Sequence, residues 1–437
     1  MKVQILILLS VVVSTLVHGR KGFGPGEQDW GYIKVREKSY MFWWLYYTTA
    51  SSDAKDRPLI IWLQGGPGGS STGLGNFNEI GPWDVHLQNR SFSWVNFANI
   101  LFVDNPVGTG FSYIEEGSDG FAKDNAAIAR DFLEFLNGFF EKFPDFQSVP
   151  LYIFGQSYGG KMAVDIALLL VEKVRNGGIQ CNLKGLGLGD AWISPLNSLL
   201  SWPEYLFNLG FIDSDGLELV SIVTSIAEAE YSNEHYENVT KLFLVTQIII
   251  NDLTNHVNFY NILSKTKKYL TRDSSSSWGN HYLPDRSGDE ALNKLMNNEV
   301  KSALNINSTI QWGAQGNYVF KAVEADMMKP VTNGVERILN DTNLTVAVYN
   351  GQLDLIVATP GTLKWVDNLK WNKANEWTTN TLRKSFAVGH IIEGYEKSTE
   401  NLHLYWVNRA GHSVPADNPA AMEYILRQTT NNFNVDN

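Results

Sequence analysis

The chain has 437 residues, of which 44% are hydrophobic and 19% are charged, a composition that is ordinary for a globular protein and can build a large core. Its formal net charge of −11 argues against nucleic acid and anionic membranes as partners.

The first 19 residues have the pattern of a cleaved secretory signal peptide. Lys2 supplies positive charge, an apolar run follows at residues 5–13, and the small residues Val17 and Gly19 precede Arg20. The alternative is a membrane anchor, but the run is short for a span. We therefore predict a signal peptide over residues 1–19 and no membrane partner.

Five Asn-x-Ser/Thr sequons also favour a secretory route, at Asn89, Asn238, Asn307, Asn340 and Asn343. Each sequon fits an unmodified polar loop as well. The expected destination is outside the cell or the lysosome, and the sequence leaves this choice open. Cys181 is the single cysteine, so no intrachain disulfide forms, and we interpret it as a small buried hydrophobe.

Apolar segments and helical patterns alternate in the first part of the chain. We predict strands at residues 30–48, 58–63, 100–103, 151–154 and 185–188, with helices at residues 124–143 and after residue 157. Residues 194–335 are mostly helix-like, and strands return at 344–349 and 402–407. This order predicts an α/β fold with a mostly parallel central sheet and helices on both faces.

The domain division follows from the same alternation. Residues 20–193 and 336–437 would form the two parts of an α/β-hydrolase core, and residues 194–335 a helical cap inserted between them.

The segment Gly155-Gln156-Ser157-Tyr158-Gly159 lies between a predicted strand and a predicted helix. A G-x-S-x-G motif in this context is a nucleophile elbow, a tight turn that exposes the serine hydroxyl at the sheet edge. We therefore predict Ser157 as a nucleophile.

Asp354 and His412 each follow a later predicted strand, which gives the chain order Ser, Asp, His that is found in α/β-hydrolases. His412 would act as the base and Asp354 would orient it. His403 and His390 are competing bases. We expect a structural role for His403, which lies inside a strand, and place His390 in a loop with no strand before it.

Charge that develops on an oxyanion needs preorganised N–H donors. Tyr158 N–H directly follows the nucleophile, and the loop Gly65-Gly66-Pro67-Gly68-Gly69 follows the buried strand at 58–63. We predict Tyr158 and Gly66 as the two donors. The alternative for this loop is a flexible glycine segment without a catalytic role.

Six segments together resemble the serine carboxypeptidases. They are Trp-Leu-Gln-Gly-Gly-Pro-Gly at 62–68, Glu-Ile-Gly-Pro at 79–82, Asn-Pro-Val-Gly-Thr-Gly-Phe-Ser-Tyr at 105–113, the elbow at 155–159, Asn-Gly-Gln-Leu-Asp at 350–354 and Ala-Gly-His-Ser-Val-Pro at 410–415. The form Gly-Gly-Pro-Gly-Gly-Ser-Ser is similar to that of the retinoid-inducible branch, with the vitellogenic-like carboxypeptidases as neighbours.

The resemblance implies removal of a C-terminal residue from peptides that have a free C-terminus. By analogy the substrate carboxylate would contact Gln64, Gly65, Glu79 and Gln156. Gln64 stands where Asn is common in the family, and Gln156 where the elbow usually has Glu. A neutral amide donates at any pH, so Gln156 predicts tolerance of higher pH. The alternative is a weakened carboxylate site.

Two other functions remain open: an esterase or acyltransferase with the same triad, and a non-catalytic binding or stabilising protein with the same fold. The sequence has no H-E-x-x-H, no C-x-x-C and no phosphate-binding glycine loop, so we expect no cofactor and no metal. The oligomeric state is undecided, and a homodimer is among the expected assemblies.

Overall fold

The computed structural model describes residues 20–115, 120–264 and 287–430. The predicted signal peptide at residues 1–19 lies outside the described residues.

Eleven strands form one sheet within the described residues. They are β1 (Gln28–Arg36), β2 (Ser39–Tyr46), β3 (Leu59–Leu63), β4 (Asn99–Val103), β5 (Tyr113–Ile114), β6 (Pro150–Gln156), β7 (Asn182–Gly189), β8 (Thr345–Gly351), β9 (Lys384–Val388), β10 (Ile391–Thr399) and β11 (Leu402–Val407).

The centre of the sheet is parallel and its edges are antiparallel. The order is β1-β2-β4-β3-β6-β7-β8-β11-β10-β9, with β5 paired to β2. The six strands from β4 to β11 in this order run parallel to one another. Their carboxyl ends therefore meet at one edge, where functional groups collect in such sheets. The predicted α/β class with a mostly parallel sheet is confirmed.

Thirteen α-helices accompany the sheet in the described ranges. They are α1 (Asn125–Lys142), α2 (Tyr158–Arg175), α3 (Pro195–Asn208), α4 (Ser214–Ser232), α5 (Tyr236–Thr254), α6 (Ser287–Leu295), α7 (Lys301–Ala303), α8 (Asn317–Ala322), α9 (Thr332–Asp341), α10 (Thr359–Asp367), α11 (Ala374–Thr379), α12 (Val414–Asp417) and α13 (Pro419–Thr430). A π-helical segment spans Ser71–Ile80.

The two faces of β3 show how the layers are built. Leu59, Ile61 and Leu63 pack into one apolar cluster with residues of α1 and α2. Ile60 and Trp62, which point to the opposite face, pack into a second cluster with residues of α13. Helices thus cover both faces of the sheet, and this explains why β3 is an uninterrupted apolar run.

Helices α3 to α9 lie between β7 and β8, where the cap is predicted. The proposed boundary after residue 335 falls inside α9, so the division into core and cap stays a prediction. No helix in the described ranges has both the length and the apolar character needed to cross a bilayer.

The hairpin of β9 and β10 was not predicted from the sequence. Its first strand buries only Phe386, and the other four residues of that strand are exposed, so the apolar alternation is weak. We expected no strand before His390, and this expectation is wrong. Strand β9 ends two residues before His390, which lies in the turn of this hairpin.

Candidate active site

Ser157 lies between the end of β6 and the start of α2, as the elbow motif predicts. Its backbone is in the left-handed region, with φ of 57° and ψ of −126°. A Cβ on Gly155 would lie 2.3 Å from the carbonyl oxygen of Gly159, and a Cβ on Gly159 would lie 2.1 Å from that of Leu63. The two flanking glycines are therefore required by close backbone contacts, and the side chain at position 157 stands partly exposed.

His412 and Asp354 are joined directly. His412 Nδ1 and Asp354 Oδ2 are 2.7 Å apart, and the side chains are 5% and 0% exposed. Asp354 Oδ1 also accepts the Val357 N–H at 3.2 Å. The two residues follow β11 and β8, which are adjacent in the sheet. This contact fixes the Nδ1 proton towards Asp354 and leaves Nε2 for proton transfer.

The Gln156 side chain places the backbone of His412 beside the elbow. Gln156 Nε2 donates to the His412 carbonyl oxygen at 3.0 Å. Within the described residues, Ser157 Oγ and His412 do not form a hydrogen bond with each other. Such contacts are often long before substrate binds.

The glycine loop after β3 packs against the elbow. A Cβ on Gly65 would lie 2.5 Å from Ser157 Cβ, so only glycine fits there. In the described part of the chain, neither Gly66 N–H nor Tyr158 N–H donates a hydrogen bond. Tyr158 N–H directly follows Ser157, and Gly66 N–H follows Gly65, the residue that contacts Ser157.

Three of the four residues predicted to bind a carboxylate, Gln64, Glu79 and Gln156, form one buried hydrogen-bonded cluster. Glu79 Oε1 accepts from Gln64 Nε2 at 3.0 Å, and Glu79 Oε2 accepts from Gln156 Nε2 at 2.8 Å. The two amides are also joined, from Gln64 Nε2 to Gln156 Oε1 at 2.5 Å. Trp62 Nε1 donates to Gln64 Oε1 at 2.8 Å, which fixes the orientation of that amide.

Burial raises the pKa of Glu79 from its ordinary value of 4.5 to about 7. Hydrogen bonds from Gln64 and Gln156 and the nearby His412 oppose this shift. The carboxyl group is therefore neutral in acid and becomes charged near neutrality.

The competing histidines have other surroundings. His403 lies inside β11, and its Nδ1 is 3.0 Å from Ser398 Oγ. Burial lowers the pKa of His403. His390 is exposed in the hairpin turn.

Sequence reasoning missed two residues beside His412. Tyr260, from the predicted cap, accepts the His412 N–H at 2.7 Å, and the two rings meet edge to face with centroids 5.0 Å apart. Asp190, which directly follows β7, is buried beside Asp354. Its position after a strand is the same signal that identified Asp354.

A metal site needs several acidic or histidine side chains close together. Among the described residues, this condition is met by Asp190, Asp354 and His412, which each offer an oxygen or nitrogen atom within 4.8 Å of the others. His412 Nδ1 already contacts Asp354, and the expectation of no metal and no cofactor stays a prediction.

Comparison with known proteins agrees with this arrangement. The family model for serine carboxypeptidase, Peptidase S10, matches residues 20–432. The retinoid-inducible serine carboxypeptidase of Mus musculus is 43% identical over 404 residues, which cover 90% of this chain and 89% of that protein. The vitellogenic carboxypeptidase of Aedes aegypti is 30% identical over 410 residues, which cover 92% of this chain and 82% of that protein.

The crystal structure of Kex1Δp, a prohormone-processing carboxypeptidase from Saccharomyces cerevisiae, superposes with a TM-score of 0.81 at 24% identity and covers 94% of this chain and 93% of that one. The predicted α/β-hydrolase fold is thereby confirmed. The match over nearly the whole chain and the relatives at 30–43% identity also confirm the resemblance drawn from the six motifs, and the chain belongs to the serine carboxypeptidase family of hydrolases.

Proposed function

We propose that this enzyme removes single residues from the C-terminus of peptides, with Ser157 as nucleophile, His412 as general base and acid, and Asp354 as the group that orients His412. The observation that carries the proposal is the cluster of Gln64, Glu79 and Gln156. This cluster suits a substrate carboxylate and is bonded to the backbone of His412.

The chemistry follows from the positions of these groups. His412 Nε2 takes the proton of Ser157 Oγ as that oxygen attacks the last peptide carbonyl carbon. The N–H groups of Gly66 and Tyr158 stabilise the oxyanion. The peptide bond breaks, the leaving amino acid takes the proton from His412, and an ester remains on Ser157. Water then attacks that ester and loses a proton to His412. The ester bond breaks, the shortened peptide leaves as a free acid, and Ser157 Oγ takes the proton back from His412.

The carboxylate site would hold the free C-terminus so that only the last peptide bond reaches Ser157. Below pH 7 the Glu79 carboxyl group is mainly neutral and can donate its proton to the substrate carboxylate. The amides of Gln64 and Gln156 remain donors at every pH. The Gly65 backbone N–H is the fourth proposed contact.

We further propose a secretory route, leading outside the cell or to the lysosome. The support is the leader pattern at residues 1–19 together with the exposure of all five sequon asparagines, Asn89, Asn238, Asn307, Asn340 and Asn343. Glycosidase treatment of the secreted protein tests these sites. A homodimer is the assembly we would test by light scattering.

The function is tested with three substrates of one peptide sequence: the free acid, the C-terminal amide and the C-terminal methyl ester. We expect wild-type protein to release the last residue from the free acid, to leave the amide intact, and to lose this activity on Ser157→Ala substitution. Hydrolysis of the ester without cleavage of the free acid would instead identify an esterase. No turnover of any substrate by folded protein would favour the non-catalytic alternative.

A further inference from the structure

Asp190 is a buried acidic residue that the proposed mechanism does not use. It directly follows β7, its side chain is fully buried, and its backbone has a positive φ of 43°. Its N–H donates to the Tyr349 carbonyl oxygen at 2.8 Å, and its Oδ1 accepts the Gly351 N–H at 2.8 Å. These bonds hold the carboxyl group rigidly between β7 and β8.

The second oxygen of Asp190 has no donor. Oδ2 is buried, and no N–H or O–H in the described part of the chain donates to it. Asp190, Asp354 and His412 offer atoms within 4.8 Å of one another, so the carboxyl group lies directly beside that of Asp354. The nearby charged or titratable groups are Asp354, His412, Asp417 and the buried Tyr349.

Two carboxylates this close cannot both be ionised in a buried site, because neither is solvated and their like charges repel. One of them must keep a proton. Asp354 is the one that contacts His412 Nδ1 and accepts the Val357 N–H, so its charge is stabilised. Burial, followed by the charge of Asp354, holds the pKa of Asp190 well above its ordinary value.

We propose that Asp190 is a positioning residue that stays protonated and donates a hydrogen bond from its Oδ2 to the Asp354 carboxylate. The proposal rests on the role given above to Asp354. The proton is not consumed in the reaction. It orients Asp354 and withdraws part of its negative charge, so the Asp354 carboxylate attracts a positive charge on His412 less strongly.

Two substitutions separate this role from the alternatives. Asp190→Asn keeps the shape and supplies an N–H donor, whereas Asp190→Ala removes the donor. The readout is the pH dependence of the rate at which a fluorophosphonate labels Ser157. This probe has no C-terminal carboxylate, and Glu79 is present in all three proteins, so its titration affects their labelling profiles alike. Circular dichroism and thermal unfolding confirm that each variant is folded.

We expect Asp190→Asn to retain the wild-type rate within about threefold and the acidic limb of the profile within about 0.3 pH unit. Asp190→Ala should move the acidic limb upward by about 0.5 to 1 unit and lower the rate about tenfold at pH 5. An acidic limb that moves to lower pH in Asp190→Asn would overturn the proposal, because it would mean that a negative charge had been removed.

Two further observations test the proton itself. An infrared difference spectrum at pH 8, in which the spectrum of Asp190→Asn is subtracted from that of wild type, should contain the carbonyl band of a carboxylic acid. Absence of this band would contradict the proposal. A wild-type labelling rate that falls with EDTA and returns with Ca²⁺ or Zn²⁺ would place a cation between the carboxylates and also overturn it. If wild-type Ser157 is not labelled at all, the proposed function fails, which is a distinguishable result.

Discussion

The side-chain amide of Gln156 donates a 3.0 Å hydrogen bond to the backbone carbonyl of His412. The same nitrogen donates to Glu79 Oε2 at 2.8 Å. One amide therefore connects the proposed carboxylate site to the proposed base, and the residue that carries it lies next to Ser157. We therefore expect that binding of a substrate C-terminus at the proposed site affects the position of His412 through this contact.

The first prediction concerns the replacement Gln156→Glu. It would place two carboxyl groups in hydrogen-bond contact with each other and beside a substrate carboxylate, so all must share protons. We expect kcat/KM for a free-acid peptide to stay within about threefold of wild type at pH 5 and to fall about tenfold or more below it at pH 7.5. Fluorophosphonate labelling of Ser157 reports the part of this fall that comes from losing the Gln156 bond to the His412 carbonyl oxygen, and we expect it to fall less than peptide cleavage does. An unchanged pH profile of peptide cleavage would refute the role given to Gln156.

The second prediction concerns stability. The pKa of Glu79 is raised from 4.5 to about 7 in the folded protein, so the folded state resists ionisation of this group. Its contribution to stability is complete below pH 4.5 and is lost as pH rises through about 7. The loss is at most about 3 kcal/mol, from the size of the shift.

Glu79→Gln lacks this contribution. Urea unfolding of both proteins should therefore show the free-energy difference, variant minus wild type, increasing between pH 4.5 and 7.5. A difference that stays constant across this range would show that Glu79 titrates normally.

The third prediction concerns the contact of the glycine loop with the elbow. Gly65→Ala would put a methyl group 2.5 Å from Ser157 Cβ, and one of the two segments must then move. We expect kcat to fall about 100-fold or more, because Gly66 N–H and Ser157 would lose their alignment. Gly178→Ala is the matched control, since its Cβ would have no neighbour nearer than 3.5 Å. Equal kcat values for the two variants would contradict this account.

The fourth prediction concerns the bond between the elbow helix and the predicted cap. Lys161 of α2 is 1% exposed, and its Nζ lies 3.1 Å from Asp326 Oδ2. Lys161→Met leaves Asp326 buried with Lys329 at 3.7 Å and with hydrogen bonds from Asn125 N–H and Tyr158 O–H, and should lower the free energy of unfolding by about 3 kcal/mol. Lys173→Met, which removes an exposed pair with Glu172, should change it by less than about 0.5 kcal/mol. Similar losses in the two variants would argue against a structural role for the buried pair.

Local pattern was sufficient where one strand and one turn define a feature. The strand before Ser157 and the glycines around it identified the elbow, and the strand ends identified Asp354 and His412. The direct contact between Asp354 and His412 depends on β8 and β11 being neighbours, and this pairing was not predicted from the sequence.

Other features depend on distant contacts and were missed. The segment Ser71–Ile80 is helical although it contains Gly73 and Gly75, which have low helix propensity. A Cβ at these positions would lie 2.2 Å from Trp312 and 2.4 Å from Trp62, so tertiary packing selects glycine there. Asp190 was missed although the strand before it was predicted, because its position beside Asp354 depends on β7 and β8 being neighbours in the sheet.

The proposed mechanism requires Ser157 to be the nucleophile that His412 activates. The most direct measurement is to titrate folded protein with a fluorophosphonate, locate the adduct by mass spectrometry, and follow hydrolysis of a free-acid peptide in the same samples. We predict one adduct per chain, on Ser157, with peptide hydrolysis lost in proportion and no adduct in Ser157→Ala. Peptide hydrolysis that persists when Ser157 is fully labelled, or that is undiminished in Ser157→Ala, would contradict it.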